Sequence, residues 1–296
     1  MVNKQNWNKE FSQEAYDLTQ PEIGLRLITT IDKRGWPHIT MISSNRAKTS
    51  KQIVWGQFTE GISKKNILTN PKQGMFFMNA DMPFKFVQAK ADYDYYLKGG
   101  EDCERFSRGP LFRYMTYVNI HTSYYNDVIA VTNVRNLGLF GIIKGFITDL
   151  LAVGGARNKE AEKKIPEFGY SMFNQMTSVK VLSYIQEDGY PIIIPCFGLR
   201  APDRSKLIFP LSQYKDELLS IPENTHIAIF VVVSQDLELT NMQINGTFTG
   251  FKKVRGFRYG FIEIDEIYNS MPPLNGLIYP NLESRPKISV FPPLRA

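Results

Sequence analysis

The chain carries one pattern twice, and this repetition limits the folds it can adopt more than any other feature. Residues 27–41, "LITTIDKRGWPHITM", and residues 181–195, "VLSYIQEDGYPIIIP", both read as a strand, a polar turn and a second strand. Both turns end in glycine, at Gly35 and Gly189, as a hairpin turn with a positive φ angle requires. The two glycines lie 154 positions apart.

The same offset continues beyond the two hairpins. Asn70 falls on Asn224 and Phe76 falls on Phe230, each near or within a further apolar run. Between the hairpin and this run, both copies place another strand and then a short helix-like segment. One offset that holds across all of these elements predicts an internal duplication.

The later parts of the two copies diverge in length. If Ile120 pairs with Ile264 in the last strand, the first copy has extra residues, and they fall in the Gly-rich, charged loop at 98–113. Long extra loops in compact domains more often serve function than structure. The sequence therefore predicts a functional loop in the first copy alone.

Each copy reads as about six short strands, with one helix before the first strand and another after the third. Mostly antiparallel strands at this spacing favour a small barrel. We predict a mainly β fold with peripheral helices (α+β), built from two tandem barrels. The predicted organisation is a first repeat at 1–133, a helical linker at 134–170, a second repeat at 171–270 and an extended, Pro-rich tail at 271–296.

One segment of the linker needs a membrane test. Residues 137–153, "LGLFGIIKGFITDLLAV", are apolar at helical spacing but include Lys144 and Asp149 and are short for a span. We predict a helix packed on a core and no membrane span, with a membrane surface or a partner as the open alternatives. The start, at 1–14, has no apolar stretch, so we expect no signal peptide and a cytoplasmic location.

Charge and cysteine content exclude several classes of protein. The net charge is +6 and is spread along the chain, without a basic arm or a nucleic-acid-binding motif. It suits a small anionic ligand, and we expect no nucleic-acid partner. Cys103 and Cys196 form no CxxC pair, so we expect no metal site and no redox dithiol.

The order of the motifs resembles the FMN-binding split β-barrel family, which includes pyridoxamine 5′-phosphate oxidase and the flavin reductases. The likeness covers most of residues 20–130 and, more weakly, 175–270. The residues that carry it are Gly35, Pro37, His38, Ile39, Thr40, Ser63, Lys64, Leu68, Asn70, Pro71 and the strand "QAKADY" at 88–93. The resemblance implies that both repeats are split barrels of the FMN-binding type.

The resemblance also implies where FMN would bind. Its phosphate would be held by Ser63, Lys64 and Lys65, after the third strand. Its isoalloxazine ring and ribityl chain would run beside the ends of the second and third strands. The residues implied there are Met41, Ile42, Ser43, Ser44, Asn45, Arg46, Gln57, Phe58 and Thr59.

Elementary chemistry agrees with these assignments. A phosphate favours charge-assisted donors and the N–H groups of a helix start, and Gly61 lets the backbone approach closely. Short hydroxyl and amide side chains, such as Ser43 and Asn45, can bond the edge of a flavin ring. The plain alternatives are a solvated helix start at 63–65 and a strand that enters a polar loop at 42–45.

The second copy has lost these polar side chains. At the constant offset, the residues opposite Ser63, Lys64, Ser43, Asn45 and Gln57 are Glu217, Leu218, Phe197, Leu199 and Leu211. A carboxylate opposes phosphate binding, although Lys215 leaves a weak site open. We therefore predict that the first copy supplies the main flavin contacts and the second copy supplies a wall.

The resemblance implies an assembly as well, because members of this family usually dimerise with the flavin between subunits. The two fused repeats would then form an intrachain pseudo-dimer, or the chain would itself be a homodimer. Which of the two clefts is open is not evident from the sequence.

The resulting functional prediction is an FMN-dependent oxidoreductase that acts on a small molecule, with a nicotinamide as a possible transient electron donor. The alternatives are a non-catalytic flavin-binding or electron-transfer protein, and a split barrel that uses deazaflavin or haem. His121 and Arg113 are candidate substrate contacts, against the plainer reading that both are ordinary surface or strand residues. The duplication and the long loop depart from the vitamin oxidase, so its substrate is not carried over.

Overall fold

The computed structural model describes residues 6–57, 61–109, 120–137, 154–158, 160–211, 214–235, 238–269 and 276–280. Within these residues the first repeat forms a nine-stranded antiparallel sheet. Its elements are β1 (Trp7–Asn8), α1 (Gln13–Leu18), β2 (Gly24–Ile31), β3 (Pro37–Met41), β4 (Arg46–Thr49), β5 (Gln52–Gly56), α2 (Ile62–Thr69), β6 (Lys72–Asn79), β7 (Lys85–Lys98), α3 (Glu101–Ser107), β8 (Thr122–Thr132) and β9 (Arg135–Asn136). The strand order is β3-β2-β6-β7-β8-β5-β4, with β1 on β8 and β9 on β7.

The second repeat forms a separate antiparallel sheet, seven-stranded over the residues described. Its elements are α4 (Glu167–Asn174), β10 (Val179–Ile185), β11 (Pro191–Pro195), β12 (Lys206–Pro210), α5 (Lys215–Leu219), β13 (Thr225–Gln235), β14 (Glu238–Val254), β15 (Phe257–Asn269) and β16 (Gly276–Tyr279). The strand order is β11-β10-β13-β14-β15-β12, with β16 on β15.

The two sheets have the same strand order once β2, β3, β5, β6, β7 and β8 are matched with β10, β11, β12, β13, β14 and β15. The hairpin registers also agree, since Ile28 pairs with Thr40 as Leu182 pairs with Ile194. Both hairpin glycines have a φ angle of 81°. The predicted fold class, mainly β with peripheral helices in two tandem units, is confirmed.

The central strands are apolar on both faces because each face has its own core. In β6, Met75 and Phe77 point into the core of the first barrel. Phe76 and Met78 point the other way, into a core shared by the two repeats. This double burial explains the unbroken apolar run in "GMFFM", where a sheet with one wet face would alternate.

The last strands of the two repeats, β8 and β15, align with each other differently from the sequence prediction. Ala91 and Gly246 are equivalent positions, and they pair with Val128 and Ile264. Ile264 is therefore equivalent to Val128, and the predicted pairing of Ile264 with Ile120 is wrong. The insertion in the first repeat is larger than predicted. The long segment between β7 and β8 changes the offset between the repeats and so hides the true alignment from a search at constant offset.

Two segments differ from their predicted form. The charged loop predicted at 98–113 contains a helix, α3, which buries Cys103 and Phe106. The tail predicted to run extended at 271–296 supplies β16 to the second sheet. The apolar helix predicted in the linker falls on 138–153, which lies outside the described residues. The domain boundaries remain predictions.

The two repeats pack on each other with matching contacts. Their shared core consists of Leu27, Ile39, Phe76, Met78, Phe86, Leu137, Val181, Ile193, Ala228, Phe230 and Val232. Strand β3 contacts β10, β13 and β14, and its equivalent β11 contacts β2, β6 and β7. Equivalent surfaces therefore meet each other, as they do across a two-fold axis.

Polar contacts follow the same approximate symmetry. Gln88 and Gln243 are equivalent, because they pair with Phe76 and Phe230. The Gln88 side chain donates to the carbonyl of Ile193, while the Gln243 side chain accepts from the N–H of Ile39 at 2.8 Å. Each glutamine thus bonds the backbone of the opposite repeat at an equivalent residue.

Aromatic contacts repeat as well. Trp36 stacks on His226, with ring centroids 4.0 Å apart. Their equivalents are Tyr190 and Lys72, and the Lys72 ammonium lies 4.6 Å from the Tyr190 ring centre. Equivalent positions of the two repeats therefore make a ring contact on each side of the interface, although the side chains differ.

His38 makes this interface sensitive to pH. It is buried beside Gln243 and Tyr268, and burial lowers its pKa from 6.5 to about 4. The unfolded chain takes up a proton at this residue below pH 6.5, whereas the folded chain resists protonation down to about 4. Neutral, buried His38 therefore does not reduce the free energy of unfolding above pH 6.5. Below pH 6.5 the free energy of unfolding falls, because the unfolded chain binds a proton there that the folded chain does not.

We predict that the free energy of unfolding falls by about 2 kcal/mol from pH 7 to pH 5 because of His38 alone. Urea denaturation of the wild type and of His38→Gln at both pH values measures it. The variant should lose less stability on acidification, by about that amount. An equal loss in both proteins would exclude His38 as the source.

Candidate functional site

The structure brings most of the predicted cofactor residues to the end of β3. One group follows this strand in the loop at 42–45 and meets the end of β5. The other group is the start of α2. Ser63 joins the two, because its hydroxyl lies 2.7 Å from that of Thr40, the residue before Met41.

The loop after β3 is held in place by Ser44. Its hydroxyl accepts a hydrogen bond from the N–H of Gly56 at 2.9 Å and donates to the carbonyl of Gly56 at 3.1 Å. Gly56 needs to be glycine, since a Cβ there would lie 2.6 Å from Ile120 and 2.7 Å from Phe106. Both hydrogen-bonding functions of Ser44 are thus used to fasten the loop to β5.

The neighbouring side chains divide between the two cores. Met41 packs against the core shared by the repeats, and Ile42 packs against the first barrel. Asn45 is fully buried, and its amide nitrogen donates to the Met75 sulfur at 3.6 Å. Within the described part of the chain, the Asn45 side-chain oxygen has no hydrogen-bond partner. Ser43 is half-buried, so of the loop's short polar side chains it is the one that is partly accessible.

Gln57 continues the chain from β5 and is buried. Its N–H donates to the carbonyl of Thr122 at 2.8 Å, and its side-chain oxygen accepts from the Tyr124 hydroxyl at 2.9 Å. Tyr124 in turn stacks on Trp55 with ring centroids 4.2 Å apart. The two residues predicted after Gln57, Phe58 and Thr59, lie outside the described residues.

The start of α2 is positively charged. Gly61 is the N-cap and makes no side-chain capping bond, and the first turn contains no acidic residue. Ser63 is buried, Lys64 is half-buried and Lys65 is exposed. The helix is anchored by Asn66, whose amide donates to the Thr30 hydroxyl at 2.9 Å. A helix start with these donors is suited to an anion.

The equivalent helix start in the second repeat has the opposite character. The first turn of α5 contains Asp216 and Glu217. Glu217, which is equivalent to Ser63, forms an ion pair with Arg135 of the first repeat. The Arg135 guanidinium also lies 5.1 Å from the Phe86 ring centre and 4.7 Å from that of Tyr214. Side chains from both repeats therefore fill the space beside the start of α5, the place equivalent to the predicted phosphate site at α2.

Sequence reasoning missed one structural cation at the site. Arg26 is buried in β2 and donates to the carbonyls of Ser43, Thr19 and Pro21. Burial, together with nearby Arg46, lowers the pKa of Arg26 to about 10. The signal was present, because the equivalent residue in the second repeat, Lys180, is also a base inside an apolar strand.

The two candidate substrate residues receive little support from the geometry. His121 is exposed, and its Nδ1 lies 2.7 Å from the Thr122 hydroxyl. Arg113 lies outside the described residues. Over the part of the chain that is described, no group of His, Cys, Asp or Glu side chains is arranged to hold a metal ion. None of the helices described is long and apolar enough to cross a membrane.

No family model matches the sequence, and no curated protein matches it. Among solved structures, the chain is similar to an FMN-binding protein from Syntrophomonas wolfei subsp. wolfei, with 13% identity, a TM-score of 0.37, and coverage of 42% of this chain and 86% of that protein. It is similar to a candidate pyridoxamine 5′-phosphate oxidase from Lactobacillus delbrueckii, with 16% identity, a TM-score of 0.33, and coverage of 43% and 96%. It is also similar to an F420 reductase, with 11% identity, a TM-score of 0.34, and coverage of 41% and 98%.

Proposed function

We propose that this chain is an FMN-binding flavoprotein, and that it acts as an oxidoreductase on a small molecule. The proposal depends on one observation above all, the contrast between two equivalent helix starts. The first repeat presents Ser63, Lys64 and Lys65 there, without an acidic residue in the first turn. The second repeat presents Glu217, already paired with Arg135. The barrel folds with either set, so folding alone does not account for the basic one.

The residues present fit a phosphorylated flavin. The uncapped start of α2 and the cations beside it would hold the phosphate through charge-assisted hydrogen bonds. The loop at 42–45, fastened by Ser44, and the end of β5 at Gln57 would orient the ring and the ribityl chain. When bound, the flavin supplies the electron-transfer chemistry. The protein's part is to position it and to limit the access of water.

The second repeat would form the opposite wall of the site. Support comes from the reciprocal packing of the repeats, which places the two halves of one chain as the subunits of a dimer would be placed. Phe86, which packs on Arg135 at the filled position, has Asn241 as its equivalent. A smaller polar side chain at the equivalent place favours an open cleft on the first-repeat side. We propose one flavin cleft per chain, with a nicotinamide as transient electron donor.

The absorbance spectrum of the purified protein tests the proposal, together with a titration by FMN. We expect flavin absorbance bands, or binding of added FMN, with one FMN per chain. Oxidation of a nicotinamide cofactor by the loaded protein would then separate an enzyme from an electron carrier. A colourless protein that does not bind FMN would refute the proposal. A haem or deazaflavin spectrum would replace FMN by that cofactor, and two FMN per chain would refute the single cleft.

A further inference from the structure

Arg46, the first residue of β4, has a buried guanidinium with two unsatisfied nitrogens. The residue is 4% exposed, and its Nε and Nη1 atoms have no hydrogen-bond partner among the residues that the structure describes. The nearest carboxylate oxygen belongs to Glu22, at 4.0 Å from Nη1, beyond hydrogen-bonding distance, and the Glu22 side chain is 47% exposed. A buried guanidinium without partners is costly, because removing a charge from water is unfavourable unless other groups replace the water.

The second repeat shows the same position in a satisfied form. Arg200 is equivalent to Arg46, and its Nη1 donates to the carbonyl of Asn174 at 2.6 Å, at the end of α4. At the same offset, Asn174 is equivalent to Gln20, and neither Nε nor Nη1 of Arg46 donates to the Gln20 carbonyl. Arg46 therefore lacks the backbone acceptors that make its counterpart a structural residue.

The surroundings of Arg46 are positive and belong in part to the insertion. Its guanidinium lies 5.2 Å from the ring centre of Phe106 in α3, a helix in the segment that is longer in the first repeat. Burial lowers the pKa of Arg46, and the nearby charge of Arg105, also in α3, lowers it further. Arg26 and Arg46 likewise repel each other. The carboxylates of Glu22 and of Asp102, in α3, attract Arg46 and offset part of this charge.

We propose that Arg46 and Arg105 bind a small oxyanion, a phosphate or carboxylate group, in a site built by β4 and α3. Arg46 is also one of the residues predicted to lie beside the flavin ring and ribityl chain, so this site adjoins that position. It is distinct from the flavin phosphate position at the start of α2 and does not require FMN. An oxyanion accepts hydrogen bonds from Nε and Nη1 and replaces the missing backbone carbonyls. It also relieves the repulsion among the three arginines. The second repeat, where Arg200 is satisfied by backbone, has no such requirement.

The test is the thermal stability of the full chain, titrated with sodium phosphate and separately with sodium formate, against sodium chloride at equal ionic strength. We expect phosphate or formate to raise the Tm of the wild type, and the anion that acts identifies the chemistry of the site. Arg46→Gln should abolish the part of the rise that Lys64→Ala retains. Arg105→Gln, a change at an exposed residue, should weaken the apparent affinity roughly tenfold or more.

Two further variants separate this site from others. Lys64→Ala should keep the formate response and lose at most the part of the phosphate response that comes from the start of α2, because α2 is not part of the Arg46 site. Arg200→Gln should lower the Tm through its lost backbone bonds and should also keep the response. The proposal is overturned if neither anion acts beyond chloride, or if Arg46→Gln and Arg105→Gln respond as the wild type does. Loss of the response in Lys64→Ala alone would also overturn it, by assigning the anion to α2.

Discussion

Replacing Lys64 by glutamate is expected to weaken FMN binding by about 3–5 kcal/mol. In the proposed site, the change would remove a charge-assisted hydrogen bond to the phosphate and place a carboxylate beside it. It also gives the start of α2 the acidic character that α5 already has through Asp216 and Glu217. Titration calorimetry with FMN measures the loss, which corresponds to a dissociation constant more than a hundredfold higher.

Lys215→Glu provides the matched control. It makes the same change of charge at the start of α5, the equivalent helix of the second repeat. FMN affinity should stay within about 0.5 kcal/mol of the wild type, since long-range charge effects are screened by salt. Equal losses in the two variants would show that net charge matters and that Lys64 has no specific role. An unchanged affinity in Lys64→Glu would remove this residue from the site.

Replacing Phe230 by alanine is expected to lower the free energy of unfolding by about 3–5 kcal/mol. Phe230 is 1% exposed and lies in the core shared by the two repeats. The lost ring leaves a cavity between the barrels rather than inside one of them. Urea denaturation measures the change.

The functional readout of the same variant is its FMN affinity. If the second repeat forms a wall of the flavin cleft, affinity should fall even though no predicted flavin contact has changed. Phe257→Ala serves as the control, because Phe257 is 49% exposed and its loss should cost under about 0.5 kcal/mol. If Phe230→Ala is no less stable than Phe257→Ala, the shared core does not hold the repeats together.

Much of the fold could be predicted because its signals are local. Gly35 and Gly189 mark hairpin turns by their backbone requirement, and the apolar runs around Phe76 and Phe230 mark strands buried on both faces. Since a duplication repeats these signals at one offset, each copy supports the interpretation of the other. The equivalent strand order of the two sheets follows from the same regularity.

The last strand and the insertion could not be predicted in the same way. The register shifts at Ala91 and at Gly246 fall at equivalent positions, so they preserve the alignment of the two repeats. The offset changes because the first repeat has a long segment between β7 and β8, and nothing in its composition gives its length. Helix α3 was also missed, because the glycines at 99–100 and its charged residues read as a loop, while its buried side chains, Cys103 and Phe106, are few.

The candidate site could be located only in part from sequence. The basic start of α2 and the polar end of β3 were assigned from the family resemblance, with which their residue types agree, and their role in binding FMN stays a prediction. The contacts that define their roles are long-range ones, such as Ser63 with Thr40, and Arg135 with Glu217. Nothing in the local pattern distinguishes Arg46 from its satisfied counterpart Arg200, since both follow the same strand in the same turn. Three-dimensional partners alone separate them.

The central claim is that one flavin binds per chain, with its phosphate at the start of α2. A crystal structure of the chain with FMN tests it most directly. We predict electron density for the phosphate within hydrogen-bonding distance of Ser63 and Lys64, and the Arg135–Glu217 ion pair unchanged at the equivalent position. A phosphate bound at α5, or one bound at Arg46 with none at α2, would contradict the account.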